Sequence, residues 1–270
     1  MEKDFTKVVP TYFAQFDRFL NGGLPVGKLT FLAGHTAIGV TQFGLSLAAN
    51  IARNGQYVGF LSQAMAKHLI EKRLQIMEEA DVANYILMDD TVRYHSLDEL
   101  IKHITDMVRK PYEAKCIVVD YFELLDSQAS KTGKLWKKYS EGIISKETYW
   151  KEYPAAYDSD MAERASYLQS LAKELNIAIL AGCHHERFIR SDTTHIPTLK
   201  KLRYASAIIP SADRILYLYR SGYYRSPSGY CQFCDKFPDE GYAQIGYLYP
   251  ENPQICVLHY DAKHIKFTDR

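Results

Sequence analysis

The sequence lacks most of the features that would assign it to a specialised class at sight. Five cysteines in 270 residues, an odd number, give no basis for a disulfide framework. The N-terminus reads MEKDFTKVVP, with charges where a signal peptide needs an apolar run. Neither sign of charge dominates: 33 Lys+Arg stand against 32 Asp+Glu, a formal net charge of +1, so nothing marks the whole chain as a polyanion binder. A long uniformly apolar segment is missing too. The longest charge-free stretch, Leu29–Ala52, carries His35, Thr36, Thr41, Gln42 and Asn50 and reads as strand, glycine loop and helix rather than a membrane span. With 15 glycines and 10 prolines, collagen-like and low-complexity classes are excluded. The expectation is a soluble, cytoplasmic protein with no membrane partner.

What is present is an ordinary globular composition, 47% hydrophobic and 24% charged. The length can bury a full core in one domain, 1–270. The near-neutral total hides an asymmetry. Residues 1–126 hold 13 Lys+Arg and 16 Asp+Glu, net −3, and residues 127–270 hold 20 and 16, net +4. An anionic partner is therefore expected on the second half.

Along the chain, short β-type runs alternate with helical stretches. Leu29–Leu32, Tyr57–Ser62, Cys116–Val119 running to Asp120, the run IAILAG, Ile215–Tyr219 and Ile255–His259 read as strands. GLSLAANIARNG reads as a helix closed by Gly55, and MAKHLIEKRLQIMEEA as a helix with Leu69, Leu74 and Met77 on one face. LDELIKHITDMVRK and MAERASYLQSLAKELN are further helices. The alternation predicts a largely parallel sheet covered on both faces. Two segments interrupt it: a Lys- and aromatic-rich insertion over 127–158, and a Tyr/Gly/Pro-rich hairpin segment over 221–254.

Gly34 to Thr41 reads GHTAIGVT. A phosphate-binding loop needs G-x-x-x-x-G-K-[ST] between a strand and a helix, because backbone N–H groups cradle phosphates, the lysine reaches the outer ones, and the hydroxyl serves Mg²⁺. Gly34, Gly39 and Thr41 stand at the required spacing; Val40 stands where the lysine belongs. Taken alone, the octapeptide reads more readily as a Gly/Thr connection with no ligand. Asp120 adds context: a carboxylate ending an apolar strand is the form that holds Mg²⁺ in P-loop ATPases.

From about Phe16 to Lys263 the chain resembles the C-terminal RecA-like motor domain of DnaB-type replicative DNA helicases. The resemblance rests on FDRFLNGGLPVGKLTFLAG, LSQAMAKHLIEKRL, IVVDYFELL, SLAKELNIAILAGCHHER and LKKLRYASAIIPSADRILYLYR, five blocks in the family's order. RadA- and KaiC-type RecA folds are the nearest competitors. The resemblance implies an α/β RecA-like P-loop NTPase fold with Mg-ATP as ligand. Thr41 and Asp120 would hold the metal, His184 would occupy the sensor position, and Lys263 a basic position that acts on a neighbouring subunit.

Residue by residue, much of the family's charge is absent. The catalytic glutamate position, just before Met65, is Ala64, with Gln63 adjacent but one step along a strand and so on the other face. The sensor glutamine becomes His184, and the Lys-Gln-Arg near the end becomes Lys263-His264-Ile265, without the arginine finger. Such a finger alone is worth roughly 10³–10⁵ in rate. The expectation is a degenerate site that binds Mg-ATP weakly and turns it over negligibly; rescue by Lys28 or Lys67 has no spacing argument behind it.

The resemblance also places two loops against single-stranded DNA. One spans Arg187–Arg203, with Arg187, Arg190, Lys200, Lys201 and Arg203 against Asp192. The other is the insertion, where Lys137, Lys138 and four further lysines interleave with Trp136, Tyr139, Tyr149, Trp150, Tyr153 and Tyr157, a pattern suited to stacking bases and following phosphates. The alternative for the insertion is a solvated helical hairpin with Trp136 and Trp150 packed on the domain. Family members form rings through an N-terminal domain and a linker helix. Neither is read in this sequence, so monomer, dimer and hexamer all stay open, as do replication-protein partners. Cys231 and Cys234 make one C-x-x-C, and Cys256 and His259 offer no convergent second pair within a strand; free cysteines are expected rather than zinc.

Overall fold

The computed structural model describes residues 7–90, 97–125, 130–184, 197–202, 204–220, 222 and 241–269. The chain begins with β1 (Val8–Val9), α1 (Ala14–Phe19) and β2 (Leu24–Pro25), then enters the main sheet at β3 (Lys28–Gly34). It continues through α2 (Val40–Arg53), β4 (Val58–Ser62), α3 (Lys67–Ile76), β5 (Ile86–Asp89) and α4 (Leu97–Val108). Next come β6 (Cys116–Asp120), α5 (Lys131–Ser140), α6 (Lys146–Leu175) and β7 (Ala178–His184). The last elements are α7 (Ala205–Ile208), β8 (Arg214–Tyr219), β9 (Tyr242–Tyr249), β10 (Ile255–Asp261) and β11 (Lys266–Thr268).

Nine strands form one sheet in the order β11-β10-β9-β8-β3-β7-β6-β4-β5. From β8 to β5 every pairing is parallel; β9, β10 and β11 extend the β8 edge in antiparallel fashion. Side chains alternate across the sheet, so Cys116 and Val118 of β6 join the core beneath α1, α2 and α3, while Ile117 and Val119 join the core beneath α4, α6 and α7. Burial on both faces explains why these strands read as continuous apolar runs. Loops leaving the C-terminal ends of β3, β6 and β7 converge at one end of the parallel portion, where ligands bind in open α/β sheets.

Several elements differ from the sequence reading. On α3 the buried face is Ile70, Leu74 and Met77; Leu69 is 44% exposed, five positions from Leu74 and so off the i, i+4, i+7 stripe. From Ser130 on, the insertion is helical, as the hairpin alternative has it. It is α5 plus the first half of α6, a 30-residue helix that passes through Pro154 without ending. Its two halves lie in different surroundings, one against α5 and the other under the sheet, so no single periodicity runs through it. The indoles do not pack on the domain: Trp136 is 56% and Trp150 58% exposed. β1, β2, β5 and β11 are strands the pattern did not predict, and β9 lies within the 221–254 hairpin segment. Among the described residues, no helix is long and apolar enough to cross a membrane.

Candidate functional site

The glycine loop is built as its spacing requires. β3 ends at Gly34, and a Cβ there would stand 2.5 Å from Val40 Cγ2 and 2.6 Å from Ile38 Cγ2, so only glycine lets the loop close on itself. Gly39 caps α2 with φ +114°, a left-handed conformation that favours glycine. From Val40 to Ala52 every residue of α2 except Asn50 is buried, which fixes the helix N-terminus over the sheet.

Val40, at the lysine position, is the first residue of α2 and is buried. Its methyls turn into the core between β3 and β7, one against Gly34 and one against Gly182, where a Cβ would lie 2.9 Å from Cγ1. The next residue, Thr41, donates from Oγ1 to Asp120 Oδ1 at 2.9 Å, across the space between α2 and the end of β6. Tyr121 Oη is 3.3 Å from the same hydroxyl. Asp120 is 2% exposed and its Oδ2 has no partner among the described residues. Burial pushes its carboxyl up to about 7, against the Thr41 hydrogen bond and the positive groups of His184 and Arg73. A hydroxyl and a carboxylate with an oxygen to spare are a donor set that suits Mg²⁺.

His184 ends β7 with its ring stacked on Tyr121, centroids 3.8 Å apart. Its backbone N–H donates to Glu123 Oε1 at 2.7 Å, and its Nδ1 lies 2.6 Å from the same oxygen. Glu123 Oε2 is buried without a partner among the described residues. Glu123 carried no role in the sequence reading, although it stands three residues after Asp120. Two further residues there were also unassigned. Arg220, just past β8, donates to the Ile38 carbonyl in the glycine loop at 3.3 Å, its guanidinium 3.6 Å from the centre of the Tyr260 ring. Arg73 of α3 donates to Gln42 Oε1 at 3.3 Å. A cation just past the strand that pairs with β3 was the available signal for Arg220.

The remaining predicted residues are dispersed. Gln63 and Ala64 follow β4, their N–H groups donating to the Asp120 carbonyl at 2.5 and 3.3 Å; the Gln63 side-chain amide is buried and unpartnered among the described residues. Lys263 is exposed in the β10–β11 turn, its N–H held by Asp261, and Ile265 packs against the core. Lys28 is no substitute cation. It begins β3, at the opposite end of that strand from the loop, and pairs with Asp213 at 2.7 Å. Lys67 lines a groove along β5 with Asp89 and His103. Lys137 and Lys138 are exposed in the last turn of α5, and Lys200 and Lys201 lie in a short 3₁₀ turn. Arg187, Arg190, Arg203, Cys231 and Cys234 lie outside the described residues. Cys256 is buried in β10, three positions from His259. No group of three or more metal-ligating side chains occurs among the described residues.

Comparison with known proteins agrees with this fold. The chain is 27% identical over 222 residues to the replicative DNA helicase DnaB of Rickettsia bellii, covering 76% of this chain and 43% of that protein. It is 24% identical over 269 residues to a probable plasmid replicative DNA helicase of Chlamydia trachomatis, covering 91% and 51%. The chain thus spans about half the length of the curated relatives it matches. Among solved structures, a DnaB-like replicative helicase superposes with a TM-score of 0.75 at 18% identity, covering 98% of this chain and 62% of that one. The RadB recombinase superposes less well, with a TM-score of 0.57 at 13% identity, covering 97% and 100%. The fold is therefore RecA-like. The family model for the DnaB-like helicase C-terminal domain matches residues 8–236, and the chain belongs to that family.

Proposed function

We propose that this DnaB-family domain works by binding rather than by turnover: it engages single-stranded nucleic acid in DNA replication or repair and hydrolyses ATP negligibly. The observation that carries this reading is Val40, buried and turned into the core where a P-loop NTPase extends a lysine toward phosphate. Ala64 and Ile265 supply neither a base nor a cation. Phosphoryl transfer depends almost wholly on positioned charge, so these losses fall on the chemical step. Thr41 and Asp120 would hold Mg²⁺ when a nucleotide is bound, and the metal would supply positive charge to offset that of the phosphates. Nucleic acid would meet the basic residues Arg187, Arg190, Lys200, Lys201 and Arg203, together with Lys137 and Lys138.

The test is affinity for a single-stranded oligonucleotide as a function of salt, without ATP. A steep linear fall of log K with log salt is expected, reflecting several phosphate contacts. Absence of binding, or binding indifferent to salt, would refute the reading and leave a replication-protein partner or a purely structural role. A second reading, an ATP-driven motor with substitute residues, draws on Arg220 at the Ile38 carbonyl and on the Glu123–His184 pair. It requires hydrolysis that depends on those side chains.

A further inference from the structure

The hairpin formed by α5 and the first half of α6 projects a set of rings that the core does not use. Trp136, Trp150 and Ile143 are 56%, 58% and 65% exposed at its tip, whereas Tyr149 between the indoles is buried. Trp136 and Trp150 flank Tyr149 with centroids 6.0 and 5.1 Å away, and Tyr139 and Tyr153 complete the cluster. From Tyr153 the contacts pass to Tyr157 and then to Tyr204 on the body of the domain.

The hairpin is anchored at its base and capped at both helix starts. Ser130 caps α5 by accepting the Gly133 N–H at 2.9 Å, and Ser145 caps α6 by accepting from Thr148. Asp160, 2% exposed on α6, accepts the N–H groups of Lys131 and Thr132 at 2.8 and 2.9 Å and the Thr132 hydroxyl at 2.6 Å. These bonds tie the start of one helix to the middle of the other. The indoles are therefore presented by rigid elements, so little ordering is needed when something stacks on them.

The charge around the rings identifies the occupant. Residues 131–153 carry six lysines against Glu141, Glu147 and Glu152, net +3. Lys134, Lys137, Lys138, Lys146 and Lys151 all lie on this hairpin, and each indole is followed directly by one of them. The buried centre of a protein–protein interface is depleted in lysine. Alternating rings and ammonium groups instead match an unpaired strand, whose bases offer flat faces and whose backbone is anionic.

We propose that the hairpin tip is a contact for single-stranded nucleic acid in which unpaired bases stack on Trp136 and Trp150 while the neighbouring lysines follow the phosphates. This rests on the reading that the chain binds nucleic acid and adds to it a stacking platform outside the basic 187–203 loop.

The chain contains two tryptophans in all, so its intrinsic tryptophan fluorescence reports on this tip alone. Titration of the full chain with unlabelled oligo-dT at low salt should quench that emission, and added salt should restore it. Affinity for a fluorescein-labelled oligo-dT, read by anisotropy, should weaken by about 30-fold or more in a Trp136→Ala/Trp150→Ala variant. It should stay within a few-fold of wild type in Trp136→Phe/Trp150→Phe, because phenylalanine keeps a ring to stack on. Circular dichroism checks that both variants remain folded.

Wild-type binding with no change in emission, or full affinity in the alanine variant, would remove the stacking platform and leave nucleic-acid binding elsewhere on the chain intact. No binding to oligo-dT by wild type would remove both proposals. A tryptophan-dependent dimer in sedimentation without oligonucleotide would make the tip a protein interface and overturn this assignment.

Discussion

Asp120→Asn should make the protein more stable, and more so the higher the pH. Asp120 is buried at the end of β6 with one oxygen accepting from Thr41 and the other unpartnered among the described residues. Burial pushes its carboxyl from 3.8 up to about 7. A carboxyl raised in this way keeps its proton in the folded protein at pH values where the unfolded chain has already released it. Its destabilising contribution is therefore absent below about pH 4, grows as pH rises, and levels off above about pH 7. The full difference corresponds to about 4 kcal/mol, and the part that develops between pH 5 and pH 8 to about 3 kcal/mol. Asparagine keeps the shape and an acceptor for Thr41 but never ionises. Urea unfolding followed by circular dichroism at pH 5, 6, 7 and 8 gives the free-energy difference between variant and wild type, in which every titrating group common to both cancels. That difference should grow in favour of the variant by about 3 kcal/mol over this range. A constant difference would show that Asp120 is ionised at an ordinary pH and that the pocket is wetter than its burial implies.

Two other perturbations test the packing around the site. Gly182→Ala places a methyl 2.9 Å from Val40 Cγ1 and should destabilise by about 1–3 kcal/mol in urea melts, with Val40→Ala in the same chain recovering part of the loss. If Gly182→Ala is neutral, Val40 is not wedged against β7. Asp160→Ala removes the acceptor of three hydrogen bonds at the start of α5 and should cost about 2–3 kcal/mol. Hydrogen exchange should then show loss of protection over Lys131–Ser140 while β3 and β7 stay protected; uniform loss of protection would mean the hairpin is not a separable unit.

The sequence carried the centre of the fold more clearly than its edges. β3, β6 and β7 are buried on both faces, so their residues are uniformly apolar and easy to read as strands. The strand-to-helix glycine turn and the strand-final Asp120 were legible because their residue types stand at a recognisable spacing. β11, three residues at the sheet edge, holds its place through Phe267, whose N–H donates to Ser46 Oγ on α2. That contact spans most of the chain and leaves no local pattern. The helical-hairpin alternative for the insertion was legible, but its continuity with the next helix through Pro154 and the exposure of its indoles were not, because half of α6 faces solvent and follows no single period. Glu123 and Arg220 stood within blocks that carry the family resemblance. Their contacts, with the His184 ring and the Ile38 backbone carbonyl, exist only once the strands are side by side.

Steady-state ATP hydrolysis, measured with Mg²⁺ in the presence and absence of single-stranded DNA, tests the central claim most directly. With the lysine position filled by buried Val40 and the glutamate and arginine positions by Ala64 and Ile265, turnover should be indistinguishable from that of an Asp120→Ala variant. A turnover approaching about one per second, the low end of ordinary enzyme rates, that is lost in Asp120→Ala would contradict it.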